Sequence, residues 1–280
     1  MSPVAERKAA VTPILSVQGL TQRFGGILAN QDVSFDVMPG SVTALIGPNG
    51  AGKTTVFNCV TGFYRATAGR IVFDDGRRRV QINELLDRFF IGGSHLVARV
   101  GIARTFQNIR LFKDMTVLEN LLVAQHRRLD GNLWRGLLGS ARFVDKEDEA
   151  LERAWRWLDA VGLSGDGNRQ AGELPYGRQR RLEIARAMCG DPRIICLDEP
   201  AAGLNPRETD ALSDLILTLR ERHGVTVLLI EHDMGLVMDI SDHIVVLDHG
   251  VVIAQGGAGQ VRADPAVIAA YLGCDLEEQA

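Results

Sequence analysis

The clearest chemical signal in the sequence is a short glycine-rich segment that ends in a lysine and two threonines. It fits the pattern G-x-x-x-x-G-K-[ST], and its residues are Gly47, Pro48, Asn49, Gly50, Ala51, Gly52, Lys53, Thr54 and Thr55. Small residues let such a loop wrap closely around a phosphate group, and its successive backbone N–H groups supply positive potential. The lysine reaches the β- and γ-phosphates, and the hydroxyl of Thr54 can coordinate Mg²⁺. The segment therefore predicts a site for a nucleotide phosphate.

Two carboxylates follow an apolar run later in the chain. Residues 194–197 are all apolar, and Asp198, Glu199 and Pro200 come directly after them. A buried parallel strand would place both carboxylates at its carboxyl end, where ligands bind in open α/β sheets. Asp198 is then placed to hold Mg²⁺, directly or through water, and Glu199 to polarise an attacking water as general base. The alternative is a strand that ends in a solvated acidic turn.

Two single residues give weaker signals. His232 follows the apolar run 225–230 by two positions, which favours a contact with a γ-phosphate, although a lone histidine at a strand end is usually a surface or capping residue. Gln107 stands where the predicted core passes into a helical region, and a lone glutamine carries almost no information by itself.

These residues need a scaffold, and the hydrophobic pattern predicts an α/β one. Apolar or alternating runs predict strands at residues 14–17, 33–37, 42–46, 71–73, 194–197, 225–230, 244–247 and 251–254. Helices are predicted from the phosphate segment to residue 61 and at 117–124, 145–161, 179–189, 208–222 and 234–240. The region 108–172 is mostly helical in this pattern, and its Gly-rich stretch 130–143 predicts a surface excursion. The expected fold is an α/β nucleotide-binding core interrupted by a helical subdomain.

The composition is that of an ordinary globular protein. Of the 280 residues, 46% are hydrophobic and 24% charged, and the net charge of −4 argues against a nucleic-acid partner. The four cysteines contain no C-x-x-C pair, so they give no sign of a metal site. No run approaches the roughly 18 apolar residues of a membrane span, and the polar start differs from a signal peptide. We therefore expect the chain to remain in the cytoplasm and to reach a membrane only through a partner.

In this order, the features above resemble the ATPase subunits of ATP-binding-cassette transporters from about residue 14 to residue 256. The resemblance implies an α/β fold with a P-loop NTPase core of the RecA-like type, an antiparallel β subdomain and an inserted helical subdomain. The cassette would span residues 13–258, with the core in 13–107 and 179–258, the helical, signature-bearing subdomain in 108–178 and a C-terminal tail in 259–280. It also implies that the chain binds ATP with Mg²⁺ and hydrolyses it.

The same resemblance assigns roles to individual residues. Gln107 would contact Mg²⁺ and a membrane partner, His232 would sense the γ-phosphate, and an early aromatic residue, Phe24, would stack on adenine. The catalytic group would be Lys53, Glu199 and His232, and the Mg²⁺ ligands Thr54, Gln107 and Asp198.

The family also has a Leu-Ser-Gly-Gly-Gln signature, which closes over ATP bound to the opposite subunit. The matching residues here are Leu174, Pro175, Tyr176, Gly177 and Arg178, of which Pro175, Tyr176 and Arg178 depart from the pattern. The missing serine hydroxyl removes one expected phosphate contact, while Gly177 and the helix N-terminus keep their backbone N–H groups. We still expect Tyr176, Gly177 and Arg178 to face nucleotide, and one possibility is a heterodimer with two unequal ATP sites.

The altered signature segment, together with several others, resembles one subgroup, the ATPases of branched-chain amino-acid importers. The likeness is greatest to the larger of their two ATPase subunits. The matching segments are 104–112, 115–120, 176–186, 198–206, 230–234 and 271–273. The subgroup implies two ATPase chains, as a heterodimer or a homodimer, beneath two membrane permease chains. A periplasmic binding protein would deliver the cargo to these permeases. The chain would then lie at the cytoplasmic face of the inner membrane as a peripheral subunit. The stretch 77–96 looks longer than is usual in this subgroup.

Three alternatives remain open at this point. The cargo could be urea, short amides or lipopolysaccharide, since an ATPase subunit touches no cargo. A soluble cassette ATPase of translation or DNA maintenance usually carries two cassettes or a long coiled coil, and this sequence has one cassette and no sustained heptads. A non-catalytic nucleotide-binding regulator would be expected to lack Glu199, which is present.

Overall fold

The computed structural model describes residues 12–87, 93–125 and 141–277. The strands in these ranges are β1 (Leu15–Phe24), β2 (Ile27–Val37), β3 (Val42–Ile46), β4 (Ala68–Asp74), β5 (Arg79–Gln81), β6 (Ile102–Arg104), β7 (Ile194–Asp198), β8 (Thr226–Ile230), β9 (His243–Asp248) and β10 (Val251–Gly256). They form one sheet of four antiparallel strands in the order β2-β1-β4-β5 and a second sheet of six in the order β10-β9-β3-β8-β7-β6. The second sheet is parallel except for β10, which pairs antiparallel with β9.

The helices lie around these sheets. They are α1 (Lys53–Val60), α2 (Ile82–Leu86), α3 (Ser94–Val100), α4 (Val117–Ala124), α5 (Ala141–Ala160), α6 (Tyr176–Met188), α7 (Pro206–His223), α8 (Met234–Ile240), α9 (Ala258–Ala263) and α10 (Pro265–Glu277). None of the described helices combines the length and the apolar character needed to cross a bilayer.

The central strands of the parallel sheet are buried along their whole length. Every residue of β3, β7 and β8 is buried. Strands covered on both faces need near-continuous apolar runs, which is why the short runs around residues 42–46, 194–197 and 226–230 form the middle of the sheet. The parallel order brings the carboxyl ends of β3, β7 and β8 to one edge, where the loops that follow them meet.

The helices α4, α5 and α6 pack together as a layer that shares one hydrophobic cluster with strands of the parallel sheet. Their shared interior contains Leu121, Ala154, Leu158 and Leu182, all fully buried. A capping box begins α4, because the side chain of Thr116 accepts the N–H of Glu119 and the Glu119 carboxylate accepts the N–H of Thr116. This layer carries α6, the helix at whose start the signature-like residues lie.

The structure agrees with most of the elements expected from the sequence and adds short ones. The sheet continues beyond the predicted strands at β1, β2 and β4, and the three-residue strands β5 and β6 were not predicted. The helix expected from residue 179 begins three residues earlier, so the predicted subdomain boundary after residue 178 falls inside α6. Residues 77–96 contain β5, α2 and the start of α3 around the undescribed residues 88–92. Of the predicted excursion 130–143, residues 130–140 lie outside the described ranges, and the last three begin α5.

Candidate functional site

The glycine-rich segment forms the loop between β3 and α1. All three of its glycines have positive φ angles, +147° at Gly47, +79° at Gly50 and +91° at Gly52. A Cβ atom on Gly47 would overlap the carbonyl oxygen of Leu247, and one on Gly52 would overlap the side chain of Asn30. Only glycine fits both positions, and this allows the loop to fold tightly before α1 begins at Lys53.

Lys53 lies inside the loop that precedes it. Its Nζ donates hydrogen bonds to the carbonyl oxygens of Gly47 at 2.6 Å and Pro48 at 2.8 Å, and the residue is only 5% exposed. Burial lowers the pKa of this ammonium group, and the nearby Glu199 carboxylate opposes that shift. Among the described residues, carbonyl oxygens hold this buried cation and no carboxylate is in direct contact with it, so an incoming phosphate would supply the compensating anion.

The end of β7 brings three of the predicted residues together. Glu199 directly follows the strand with a φ of +47°, and its N–H donates to the carbonyl oxygen of Ile230 at 2.9 Å. Its Oε2 accepts a hydrogen bond from Nε2 of Gln107 at 2.7 Å, and its Oε1 lies 3.0 Å from Nε2 of His232. The carboxylate is therefore held between the glutamine and the histidine at the edge of the phosphate loop.

Asp198, the other strand-end carboxylate, has a partner that the sequence did not reveal. Nη2 of Arg104 lies 2.6 Å from Asp198 Oδ2, and both side chains are almost completely buried. The same guanidinium donates to Asn58 and Thr61 at the end of α1, at 2.6 and 3.0 Å. It also lies among the rings of three phenylalanines, Phe57, Phe63 and Phe106. Arg104 ties β6, α1 and β7 together beside the predicted Mg²⁺ ligand.

Besides Arg104, the sequence did not single out a second buried acid, Glu231. It is 3% exposed and accepts the backbone N–H groups of Ala201 at 2.6 Å and His232 at 2.9 Å. Burial raises the pKa of its carboxyl group against the opposing effect of these hydrogen bonds. Glu231 fixes the loop after Glu199 relative to His232, and the sequence offers no signal for it beyond its place next to His232.

The phosphate loop opens into a cavity of about 570 Å³. Its lining joins the loop to the catalytic candidates: Asn49, Gly50, Ala51, Gly52, Lys53, Thr54, Thr55, Glu199 and His232. Ile27, Leu28, Ala29 and His249 line it as well and were not singled out from the sequence. Phe24 does not line this cavity; it is 42% exposed, and its ring packs edge-to-face on Tyr64 with centroids 5.1 Å apart.

The signature-like residues lie apart from this cavity, at the start of α6. Arg178 Nη1 lies 2.6 Å from Asp166 Oδ2, and the hydroxyl of Tyr176 accepts a hydrogen bond from Arg180 at 3.1 Å. A Cβ atom on Gly177 would lie 2.7 Å from the Glu208 carboxylate. Within one chain, Lys53, Glu199 and His232 line the same cavity, and Gln107 reaches it only through its hydrogen bond to Glu199. The lining does not include Gly47, Pro48, Asp198, Tyr176, Gly177 or Arg178.

Comparison with known families identifies the scaffold. A family model described as ABC transporter matches residues 30–202, and a second, described as branched-chain amino acid ATP-binding cassette transporter, matches residues 251–273. The chain belongs to the ABC transporter family. Within it the chain is an ATPase, and its fold is the α/β fold of a P-loop NTPase, so the predictions of family, fold and ATP hydrolysis are confirmed.

Curated relatives match along nearly their whole length. The high-affinity branched-chain amino acid transport ATP-binding protein BraF of Pseudomonas aeruginosa is 57% identical over 93% of this chain and 98% of its own length. The corresponding LivG protein of Escherichia coli K12 is 54% identical over the same shares. Among solved structures, a nucleotide-free ATP-binding cassette of an ABC transporter has a TM-score of 0.77 and 34% identity over 93% of this chain and 99% of that chain. A cassette in its ADP conformation has the same TM-score and identity over 94% and 99%.

Proposed function

We propose that this chain hydrolyses ATP with Mg²⁺ to power the import of branched-chain amino acids through a binding-protein-dependent membrane transporter. The observation that carries this proposal is identity above 50%, over nearly the full length of both chains, to ATP-binding proteins named for high-affinity branched-chain amino acid transport. The separate match of residues 251–273 to a branched-chain amino acid cassette model supports it, because that segment lies outside the match to the general ABC transporter model.

The residues present fit a bound Mg²⁺ ion. Asp198 keeps one carboxylate oxygen free of Arg104, Thr54 lines the phosphate cavity, and the side chain of Gln107 lies beside Glu199. Among the described residues no cluster of three or more His, Cys, Asp or Glu side chains could hold a metal alone. That suits Mg²⁺, which proteins usually hold through one or two carboxylates and substrate phosphates. The ion would neutralise charge on the phosphate oxygens; Thr54, Asp198 and Gln107 are the residues that would hold it.

The roles of the chain's own groups follow from their positions. Lys53 would leave its two carbonyl partners for the β- and γ-phosphates and stabilise charge on them. Glu199 would accept a proton from the attacking water as general base. His232 and Gln107, each within hydrogen-bond distance of a different Glu199 oxygen, would orient that carboxylate. His232 would also sense the γ-phosphate, and Gln107 would contact Mg²⁺ and the membrane partner. Phe24 would stack on adenine at the rim of the site.

The separation of the two halves of the site supports a dimer. Tyr176, Gly177 and Arg178 lie outside the chain's own phosphate cavity, as expected of residues that face ATP on an opposite ATPase chain. We propose that residues 13–107 and 179–258 form the core and 108–178 the helical subdomain, with 259–280 as a tail. The partners would be a second ATPase chain, in a heterodimer or homodimer, two permease chains and indirectly a periplasmic binding protein. The chain would then be peripheral at the cytoplasmic face of the membrane.

Uptake of labelled leucine tests the whole proposal. Cells that lack this chain are complemented with the native sequence or with Glu199→Gln, which differs by one side-chain group. Restored uptake with the native sequence alone is the expected result. If neither restores uptake while the purified native chain hydrolyses ATP, the amino-acid cargo is wrong and urea, amides or lipopolysaccharide become the cargoes to measure.

A further inference from the structure

A buried ion pair on α6 lies next to the candidate catalytic site without belonging to it. Arg180 and Glu183 are one helical turn apart, their side chains are 0% and 2% exposed, and Nη1 of Arg180 lies 3.0 Å from Oε2 of Glu183. Arg180 is among the largest fully buried side chains of the described residues. Charged groups are rarely buried so completely unless hydrogen bonds satisfy them, so their partners show what the pair does.

Arg180 is directed at the backbone of the segment that carries Gln107. Its Nη1 donates to the carbonyl oxygen of Phe106 at 2.7 Å, and its Nη2 donates to the carbonyl oxygen of Gln107 at 2.8 Å. The second nitrogen also donates to the hydroxyl of Tyr176 at the start of α6, at 3.1 Å. One guanidinium group therefore contacts both the glutamine segment and the signature-like residues.

Glu183 binds the backbone N–H groups of the same segment. Its Oε1 accepts the backbone N–H of Arg110 at 3.2 Å and that of Phe106 at 3.4 Å. Burial raises the pKa of Glu183 against the opposing effects of these donors and of Arg180. The segment between β6 and α4 has no regular structure to pair its own backbone groups, and four of them are paired by these two side chains.

We propose that Arg180 and Glu183 are positioning residues that hold Gln107 against Glu199 and link it mechanically to the signature-like start of α6. The proposal rests on the proposed function, because the proposed function is what assigns Gln107 and Tyr176 to the binding of ATP. A displacement of α6 would move Phe106 and Gln107 with it, and the hydrogen bond between Gln107 and Glu199 would lengthen or break. A change at the face that meets the partner's ATP would thereby alter the geometry of the chain's own site.

Kinetics of the purified transporter, with its partner subunits, separate positioning from simple stabilisation. Arg180→Met should lower kcat for ATP by about tenfold to a hundredfold, in keeping with the cost of a 1 Å misplacement of a catalytic group, with KM changed less than about threefold. Arg180→Lys should restore part of the loss. In a Gln107→Ala background Arg180→Met should cause no further loss, because residues that act through one another are not additive. Arg153→Met is the matched control and should behave as native, because Arg153 is a half-buried arginine on α5 that donates to Gln125 at 2.8 Å.

Two results would overturn the proposal. One is an equal fold-loss from Arg180→Met in the native and Gln107→Ala backgrounds, and the other is an equal loss from Arg153→Met. Amide hydrogen exchange of the peptide 106–111 gives a readout that needs no ATP turnover. In Arg180→Met/Glu183→Leu, which keeps an apolar interior, this peptide should exchange at least about tenfold faster than in the native chain. Unchanged exchange in the double variant contradicts the proposal. Faster exchange in the double variant, together with a native transporter that hydrolyses no ATP, upholds the positioning and refutes the proposed function.

Discussion

The phosphate loop and the start of α6 each lie at a helix N-terminus, but they are held in shape by different means. In the phosphate loop, backbone sterics fix the conformation, because Gly47 and Gly52 occupy positions where a Cβ atom would overlap a neighbour. At the start of α6, side-chain contacts hold the conformation, since Arg178 pairs with Asp166 and Tyr176 contacts Arg180. A loop fixed by sterics tolerates few sequences, whereas a helix start fixed by side-chain pairs can exchange its residues if their partners change with them.

This contrast explains why the signature-like residues depart from the family pattern while the phosphate loop does not. Pro175 and Tyr176 replace small residues at a surface that is open within the single chain, and Gly177 remains where a Cβ atom would lie 2.7 Å from Glu208. Changes in the loop should therefore damage the isolated chain, and changes at the exposed residues Pro175, Tyr176 and Arg178 should act only when a second ATPase chain is present.

The largest effect is expected from Lys53→Ala. The substitution removes the ammonium group that donates to the loop's carbonyl oxygens, so ATP turnover should fall by about a thousandfold, the upper range for loss of one charge-stabilising donor. Steady-state phosphate release by the purified protein measures it. Lys113→Ala, at an exposed lysine, is the control. Turnover at the native rate in Lys53→Ala would reject the phosphate site.

A smaller, conditional effect is expected from Arg178→Met. In the proposed dimer Arg178 faces the partner's nucleotide, so its loss should lower turnover of the assembled transporter about tenfold, within the range for a hydrogen bond to a charged group. Nucleotide binding by the isolated chain, measured by calorimetry, should not change. Arg169→Met is the matched control, because Arg169 pairs with the same Asp166 at 3.0 Å but lies outside the signature-like residues. An equal loss from Arg169→Met would mean that Arg178, like Arg169, only stabilises the fold through its ion pair with Asp166.

The smallest effect is expected from Phe24→Ala. Stacking of a base on an aromatic ring contributes roughly 1–3 kcal/mol, and we expect the low end, about 1 kcal/mol or fivefold in ATP affinity, because the ring already packs on Tyr64. Competition with a fluorescent ATP analogue measures this change. An unchanged affinity would leave Phe24 with a packing role alone.

The sequence was sufficient where chemistry follows from adjacent residues. The loop around Lys53 and the pair Asp198 and Glu199 are continuous segments, and their short apolar strands have the length and burial that the pattern predicted. Hydrogen bonds between distant residues were not visible, since Arg104 lies 94 positions from Asp198 and Arg180 lies 74 from Phe106. The three-residue strands β5 and β6 escaped prediction because they are too short to show a period and exist only through pairing with a neighbour.

Nucleotide turnover and nucleotide binding, measured side by side on Glu199→Gln and the native chain, test the central claim most directly. The claim is that the loop binds phosphate and the strand-end carboxylate, held by Gln107 and His232, performs the proton transfer. Glutamine keeps the shape and loses the base, so ATP affinity should stay within about twofold of native while turnover falls at least about a hundredfold. Rapid hydrolysis by Glu199→Gln would contradict this account of the site.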